Sequence, residues 1–214
     1  KPPGSSVLDV AAGQGNFSLT LAERGYSVTW NDLRGDLQEY VKLKHERGDL
    51  TYCPGNLFEA EFPARFDLVL LLEIIEHVAH PDQLLKRAAS LLKPEGAIIA
   101  STPNGDYFRN RLPSFSDFRD SSCLEDRQFG PDASDHLFLL RAREFSDQAE
   151  GAGLKIARID HFSNPLTSGH MHMSSVLRVL PRPIVSLCEV LTSALPNCVA
   201  RRLNSHTICV LRAG

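Results

Sequence analysis

Glu73, Glu76 and His77 stand at i, i+3 and i+4 in FDLVLLLEIIEHVAHPD, residues 66–82. On one helical turn that spacing puts two carboxylates and an imidazole on the same face. Such a set can do two kinds of chemistry. It can hold a hard or borderline divalent ion such as Mg²⁺, Mn²⁺ or Fe²⁺, the histidine tilting the choice toward a transition metal. Alternatively, the imidazole can serve as a general base with no metal involved. The plainer reading is that Glu73 meets another ligand while Glu76 and His77 merely start a helix after a buried strand.

A second set of residues suits a nucleoside. VLDVAAGQGNF, residues 7–17, places small side chains where a strand turns into a helix, and Asp32 follows Asp9 by 23 positions. A ligand can approach the backbone at such a turn, beside the helix N-terminus. An acid at the end of the next strand can accept hydrogen bonds from both ribose hydroxyls of an adenosine. A dinucleotide is the sharper rival, because Gly13-Gln14-Gly15-Asn16-Phe17-Ser18 resembles G-x-G-x-x-G with Ser in the third slot. Asp9 decides between them. Its carboxylate repels a pyrophosphate but is complementary to a sulfonium and an amino-acid ammonium, so the residues favour S-adenosylmethionine over NAD. A tight turn with no ligand is the plainer alternative.

The elements that must carry these residues alternate between strand-like and helix-like patterns. Strands are expected at residues 6–10, 26–32, 50–53, 66–72 and 97–101, with helices at 16–24, 35–47 and 81–92 between them. The run Lys93-Pro94-Glu95-Gly96 reads as a break between the last helix and the next strand. This rhythm predicts right-handed crossovers on a mostly parallel sheet. Residues 104–135 lose the period, and a loop of that length in a compact domain is usually functional or disordered. A helix near 142–150, a strand at 155–162 and a last strand at 206–212 follow. Between the last two, the Pro-interrupted apolar stretch 176–199 is long enough for one or two amphipathic helices. Packing of that stretch in the core is the plainer expectation, a greasy pocket or a membrane surface the sharper one.

With strand, turn and distal acid in place, the chain resembles the class I S-adenosylmethionine-dependent methyltransferases. Asp9-Val10-Ala11-Ala12-Gly13-Gln14-Gly15 is similar to their first motif, D-x-G-x-G-x-G, with Ala11 where the family has its first glycine. The resemblance runs on through Asp32, Gly55-Asn56-Leu57, Phe66-Asp67-Leu68-Val69, Leu91-Leu92-Lys93-Pro94-Glu95-Gly96 and Ser101-Thr102-Pro103-Asn104, covering residues 5–162. It implies a Rossmann-like fold: a seven-stranded, mostly parallel sheet with helices on both faces and a C-terminal antiparallel strand. It also implies a cofactor site made by Asp9, Ala11, Gly13, Gly15, Asp32, Asn56, Leu57 and Glu73, with Asn56 where the family often has an adenine-binding Asp.

Glu73-x-x-Glu76-His77 in turn resembles the E-x-x-E-H motif of ubiquinone-biosynthesis O-methyltransferases and small-RNA 2′-O-methyltransferases. Asp135-His136-Leu137-Phe138 matches the context of a later histidine in the RNA enzymes. The resemblance implies a divalent metal held by Glu73, Glu76, His77 and His136. Without a metal, His77 or His136 is the candidate catalytic base. His170 and His172 form another possible ligand pair, with an ordinary surface position as the plainer reading.

Bulk properties limit the partners. The chain has 214 residues, net charge −3 and 43% hydrophobic residues, which suits one globular domain, residues 1–214, with 104–135 and 165–204 as substrate-capping insertions. No global basic field draws it to nucleic acid, which disfavours an RNA acceptor. Cys53, Cys123, Cys188, Cys198 and Cys209 form no C-x-x-C pair, so reduced thiols in a cytoplasmic protein are expected. Arg109, Arg111, Arg119 and Arg127 in the long loop suit a phosphate or carboxylate on the acceptor, although a solvated loop face is the plainer reading. The expected activity is O-methylation of a small-molecule, quinone-like, saccharide or lipid-linked acceptor, with peripheral membrane contact through 176–199. The alternatives are a metal-dependent RNA 2′-O-methyltransferase and a non-catalytic S-adenosylmethionine-binding scaffold.

Overall fold

The computed structural model describes residues 1–128, 136–164 and 178–214. Asp135, His170 and His172 lie outside these residues.

Short runs of β-branched and leucine residues form the strands β1 (Ser6–Val10), β2 (Ser27–Asn31), β3 (Asp49–Tyr52) and β4 (Phe66–Leu72). The helices α1 (Asn16–Glu23), α2 (Leu37–Lys44) and α3 (Pro81–Ser90) connect or follow them. β5 (Leu92–Pro103), α4 (Ala142–Gly151), β6 (Leu154–Phe162) and β7 (His206–Ala213) complete the sheet. Among the described residues, the helices α5 (Arg182–Ser193) and α6 (Asn197–Leu203) stand between β6 and β7.

The seven strands take the order β3-β2-β1-β4-β5-β7-β6, with β7 antiparallel to both neighbours. This is the doubly wound architecture expected. Because the chain runs outward from β1 to β3 and then returns to β4, the switch point falls between β1 and β4, where open parallel sheets place their ligands. Asp9 pairs in register with Trp30 and Leu70, and Val10 with Asn31 and Leu71, so the strand ends carrying the motif residues finish together. Asp67 helps hold that alignment from the other end. Its Oδ2 accepts from Ser6 N, Ser6 Oγ and Lys93 Nζ, each at 2.8 Å, and the Lys93 bond pulls its pKa down to about 2.

Three sequence expectations need correction. Lys93-Pro94-Glu95-Gly96 does not precede β5 but belongs to it. The pairing jumps from Phe66↔Leu92 to Leu68↔Ala97, so the extra residues bulge out and Glu95 takes φ 63°. Helix α3 accordingly ends at Ser90 rather than at 92. The described part of the aperiodic loop contains two 3₁₀ segments, Phe115–Asp117 and Ser121–Arg127. The third correction concerns α5: its apolar residues are not core. Ile184, Leu187, Val190 and Leu191 are exposed, because Val185, Cys188 and Thr192 already supply the half-buried side.

Candidate functional site

The glycine turn owes its shape to backbone angles that few residues tolerate. Ala11, Gly13 and Gly15 have φ of 52°, 53° and 72°. Ala11 therefore occupies the left-handed region where the related motif has glycine, a conformation costing an L-residue roughly 1–2 kcal/mol. A Cβ on Gly15 would sit 2.7 Å from Val41 Cγ1, whereas a Cβ on Gly13 would meet nothing within 4 Å. Gly15 is thus required for packing against α2, and Gly13 leaves open space at the turn.

Asp32, at the end of β2, holds this turn in place. Its Oδ2 accepts from Gly13 N at 2.7 Å and its Oδ1 from Arg34 N at 2.8 Å. Each oxygen keeps a lone pair for a further donor such as a ribose hydroxyl. Trp30 Nε1 donates to Gly13 O at 3.0 Å. Asp9 lies beneath the turn, 2% exposed, and accepts from Ser18 Oγ at 2.6 Å. Burial pushes its pKa up to about 6. A carboxylate kept at such cost suits a cationic ligand.

Beside the turn is a cavity lined by Ala11, Asp32, Asn56 and Leu57 and by Leu33, Phe58, Ile74 and Val78. Four residues expected to bind the cofactor therefore share one wall, and apolar side chains that could flank a flat ring supply the rest. Asn56 uses its Oδ1 to accept from Phe58 N at 3.1 Å, which shapes the β3 exit. Asn31 was not anticipated from sequence. Its Nδ2 donates to Cys53 O at 2.7 Å and Gly55 O at 3.0 Å, tying that exit to β2. The only signal for it was a polar residue inside an alternating strand.

The EIIEH segment behaves differently from the helical face expected. Glu73 adopts φ 55°, so no helix continues from it, and only Ile75–His77 forms a 3₁₀ turn. The i, i+3, i+4 alignment is lost. Glu73 instead accepts from Ser101 Oγ at 2.6 Å and lies 3.7 Å from His206 Nε2. It faces an apolar groove with Phe17, Leu72 and Ile99 rather than the other acid. Glu76 and His77 do come together with His136. Among the described residues, one ligand atom from each of these three lies within 4.8 Å of the others, and Glu73 is not part of the group.

The geometry of this triad follows from two anchors. Leu137 N donates to Glu76 O at 2.9 Å, and Leu137 to Leu140 are buried, so the chain carrying His136 is pinned against the 3₁₀ turn. Thr102 Oγ1 donates to Glu76 Oε2 at 3.0 Å. The other oxygen, Oε1, is buried with no hydrogen-bond partner, 3.9 Å from His77 Nε2 and 3.8 Å from His136 Nε2. Burial first, and the neighbouring Glu73 second, raise the Glu76 pKa to about 8. A buried carboxylate oxygen without a donor and two adjacent imidazoles make a donor set of the kind divalent cations occupy.

This triad lies between two cavities. Ile74 and Val78, on either side of Glu76 and His77, line the cavity next to the glycine turn. His136 lines a second cavity of about 270 Å³ together with Tyr107, Arg109, Arg111 and Leu112. Of the four loop arginines expected to meet an acceptor, Arg109 and Arg111 reach this cavity, while Arg119 and Arg127 do not line it. Arg109 and Arg111 have no acidic partner among the described residues.

Comparison with known proteins identifies the family. Residues 1–159 match the family described as a methyltransferase domain. A ubiquinone biosynthesis O-methyltransferase of Stutzerimonas stutzeri is 31% identical over 179 residues, which cover 80% of this chain and 74% of that protein. Its counterpart in Coxiella burnetii is 28% identical over 171 residues, covering 73% of this chain and 66% of the relative's length. Among solved structures, an S-adenosylmethionine-dependent methyltransferase from Mesorhizobium loti superposes with a TM-score of 0.65 at 18% identity, covering 98% of this chain and 91% of that one. With its Asp9–Gly15 turn, its Asp32 and its 3-2-1-4-5-7-6 sheet, the chain belongs to the S-adenosylmethionine-dependent methyltransferases.

Proposed function

We propose that the chain methylates a hydroxyl oxygen of a small acceptor carrying an anionic group, assisted by a divalent ion at Glu76, His77 and His136. The observation that carries this reading is the buried, donorless Oε1 of Glu76 facing two imidazole nitrogens, on the boundary between the cofactor cavity and an arginine-lined one. The relatives named for O-methylation in ubiquinone biosynthesis support oxygen as the acceptor atom.

When bound, S-adenosylmethionine supplies an electrophilic methyl group on a sulfonium centre. Asp9 provides negative charge in a buried position beneath the turn, and Asp32 accepts hydrogen bonds from the ribose. Glu76, His77 and His136 would hold a divalent ion, which would lower the pKa of an acceptor hydroxyl. In its absence, Nε2 of His77 or of His136 takes the hydroxyl proton. Arg109 and Arg111 hold the acceptor's anionic end and fix the distance of its hydroxyl from the methyl group. Most of the rate comes from that alignment of donor and acceptor.

Calorimetric titration with S-adenosylmethionine and its demethylated product, with and without Mg²⁺ or Mn²⁺, tests the reading on wild type and Glu76→Gln. Absence of cofactor binding would sink it altogether. Cofactor binding without metal heat, unchanged in Glu76→Gln, would remove the ion alone. A methyl-transfer screen over phenols, sugars and RNA then tests the acceptor class, and transfer confined to RNA would overturn the small-molecule assignment.

A further inference from the structure

The segment between β6 and β7 shows solvent a surface that globular chains usually bury. Ile184, Leu187 and Leu191 follow one another at i, i+3 and i+7 on α5, with Val190 beside them, and all four are 46–64% exposed. Val179 precedes the helix at 84% exposure, and Val199 extends the surface onto α6. The adjoining side of α5, through Val185, Cys188 and Thr192, is the half-buried one. The apolar arc of the helix is therefore wider than the part its own fold covers. A contiguous exposed apolar surface of this kind marks an interaction site.

Its charge narrows the partner. The chain as a whole carries −3, yet residues 178–203 hold four arginines and a single acid, Glu189. Arg178, Arg182, Arg201 and Arg202 are all exposed. Arg201 Nε is 3.9 Å from Asp106 Oδ2, while Arg178, Arg182 and Arg202 have no carboxylate partner among the described residues. Basic charge is thus concentrated around the apolar stripe of an otherwise acidic protein. A second copy of the chain is a poor match, because a two-fold interface would set arginines against arginines. An anionic lipid surface fits both properties: apolar side chains enter the headgroup boundary and arginines reach the phosphates.

We propose that residues 178–203 form a peripheral docking element that lies in the interface of an anionic membrane. No helix among the described residues is long and apolar enough to cross one. The element is fastened to the rim of the arginine-lined cavity. Asn104 Nδ2 donates to Arg201 O and Asn204 O, each at 2.7 Å, and Phe108 N donates to Arg202 O at 3.0 Å. Phe108 and Leu112 on that rim are themselves exposed and extend the apolar surface. Docking therefore brings the cavity holding His136 to the lipid surface, and the inference stands whichever acceptor enters it.

Co-sedimentation of the full chain with vesicles tests this. Vesicles of phosphatidylcholine containing roughly one third phosphatidylglycerol should bind the protein at least about tenfold better than phosphatidylcholine alone, and high salt should weaken that binding. Leu187→Glu with Val190→Glu should abolish binding while leaving S-adenosylmethionine titration and thermal midpoint unchanged, because both positions are exposed. Should that variant fail to fold, Arg178→Gln, Arg182→Gln and Arg202→Gln together should still lower anionic-vesicle binding about tenfold or more. Wild-type protein that ignores anionic vesicles overturns the proposal, as does binding untouched by both variants. A dimer in analytical ultracentrifugation that Leu187→Glu with Val190→Glu dissolves, without any vesicle binding, would assign the surface to a second copy instead.

Discussion

Nε2 of His136 lies 3.8 Å from Oε1 of Glu76, and that oxygen has no hydrogen-bond donor although it is fully buried. Leu137 N donates to Glu76 O and Thr102 Oγ1 to Glu76 Oε2, so the contact is held by bonds between segments far apart in the chain. Removing the carboxylate charge should therefore show in ion binding before it shows in the fold. Glu76→Gln is expected to weaken Mn²⁺ affinity by at least about tenfold in calorimetry, with circular dichroism unchanged. His136→Ala should lower Mn²⁺ affinity by a similar factor, whereas Glu73→Gln should lower it much less.

Asp9 sets opposite demands on stability and binding. Burial raises its folded pKa from 3.8 to about 6. The group therefore contributes stability at pH below about 4, and that contribution is lost as pH rises through about 6. The ligand-free protein should have a higher thermal midpoint at pH 5 than at pH 8, and Asp9→Asn should reduce the difference without removing it, because Glu76, raised to about 8, titrates in the same range. Cofactor affinity should run the other way, falling as pH drops below about 6, and Asp9→Asn should reduce it by at least about tenfold.

Gly13 and Gly15 should fail differently. Gly15→Ala must adopt φ 72° and press its Cβ to 2.7 Å from Val41 Cγ1, so a destabilisation of about 2–4 kcal/mol is expected in chemical denaturation. Gly13→Ala bears only the backbone strain, about 1–2 kcal/mol. It should remain folded and lose S-adenosylmethionine affinity in titration.

Arg109 and Arg111 line the acceptor side and should act only there. Arg109→Gln with Arg111→Gln is expected to raise KM for carboxylate-bearing or phosphate-bearing hydroxyl acceptors by about tenfold or more. The same change should leave the S-adenosylmethionine dissociation constant within about twofold. Equal loss with neutral acceptors would show that the arginines shape the cavity rather than recognise charge.

The sheet and the glycine turn were legible because local rules govern them. Alternation of strand and helix, small residues at 11–15 and an acid at 32 each act within a few residues of where they are read. Glu73 shows where such reading stops. Spacing of i, i+3, i+4 implies one face only if helical angles persist, and φ 55° at Glu73 breaks them. Asn31 was missed because its role, bridging two carbonyls of the β3 exit, exists only after β2 and β3 have paired. The bulge that takes Lys93-Pro94-Glu95-Gly96 into β5 likewise depends on β4 as a neighbour, which no propensity of the four residues expresses. For α5, the apolar periodicity was visible, but not that its two sides would face different surroundings.

Ile74 and Val78 border one cavity while Glu76 and His77 lie against the histidine that borders the other, and Ile75 at the centre is completely enclosed. The 3₁₀ turn Ile75–His77 thus stands between Ile74 and Val78, which line one cavity, and His136, which lines the other. Displacing it moves both linings at once, so affinities on the two sides are not independently adjustable from within this turn. Substitution of Ile75, which lines neither cavity, should change both dissociation constants together, and a ligand that firms the wall on one side leaves less ordering to be done by the ligand on the other.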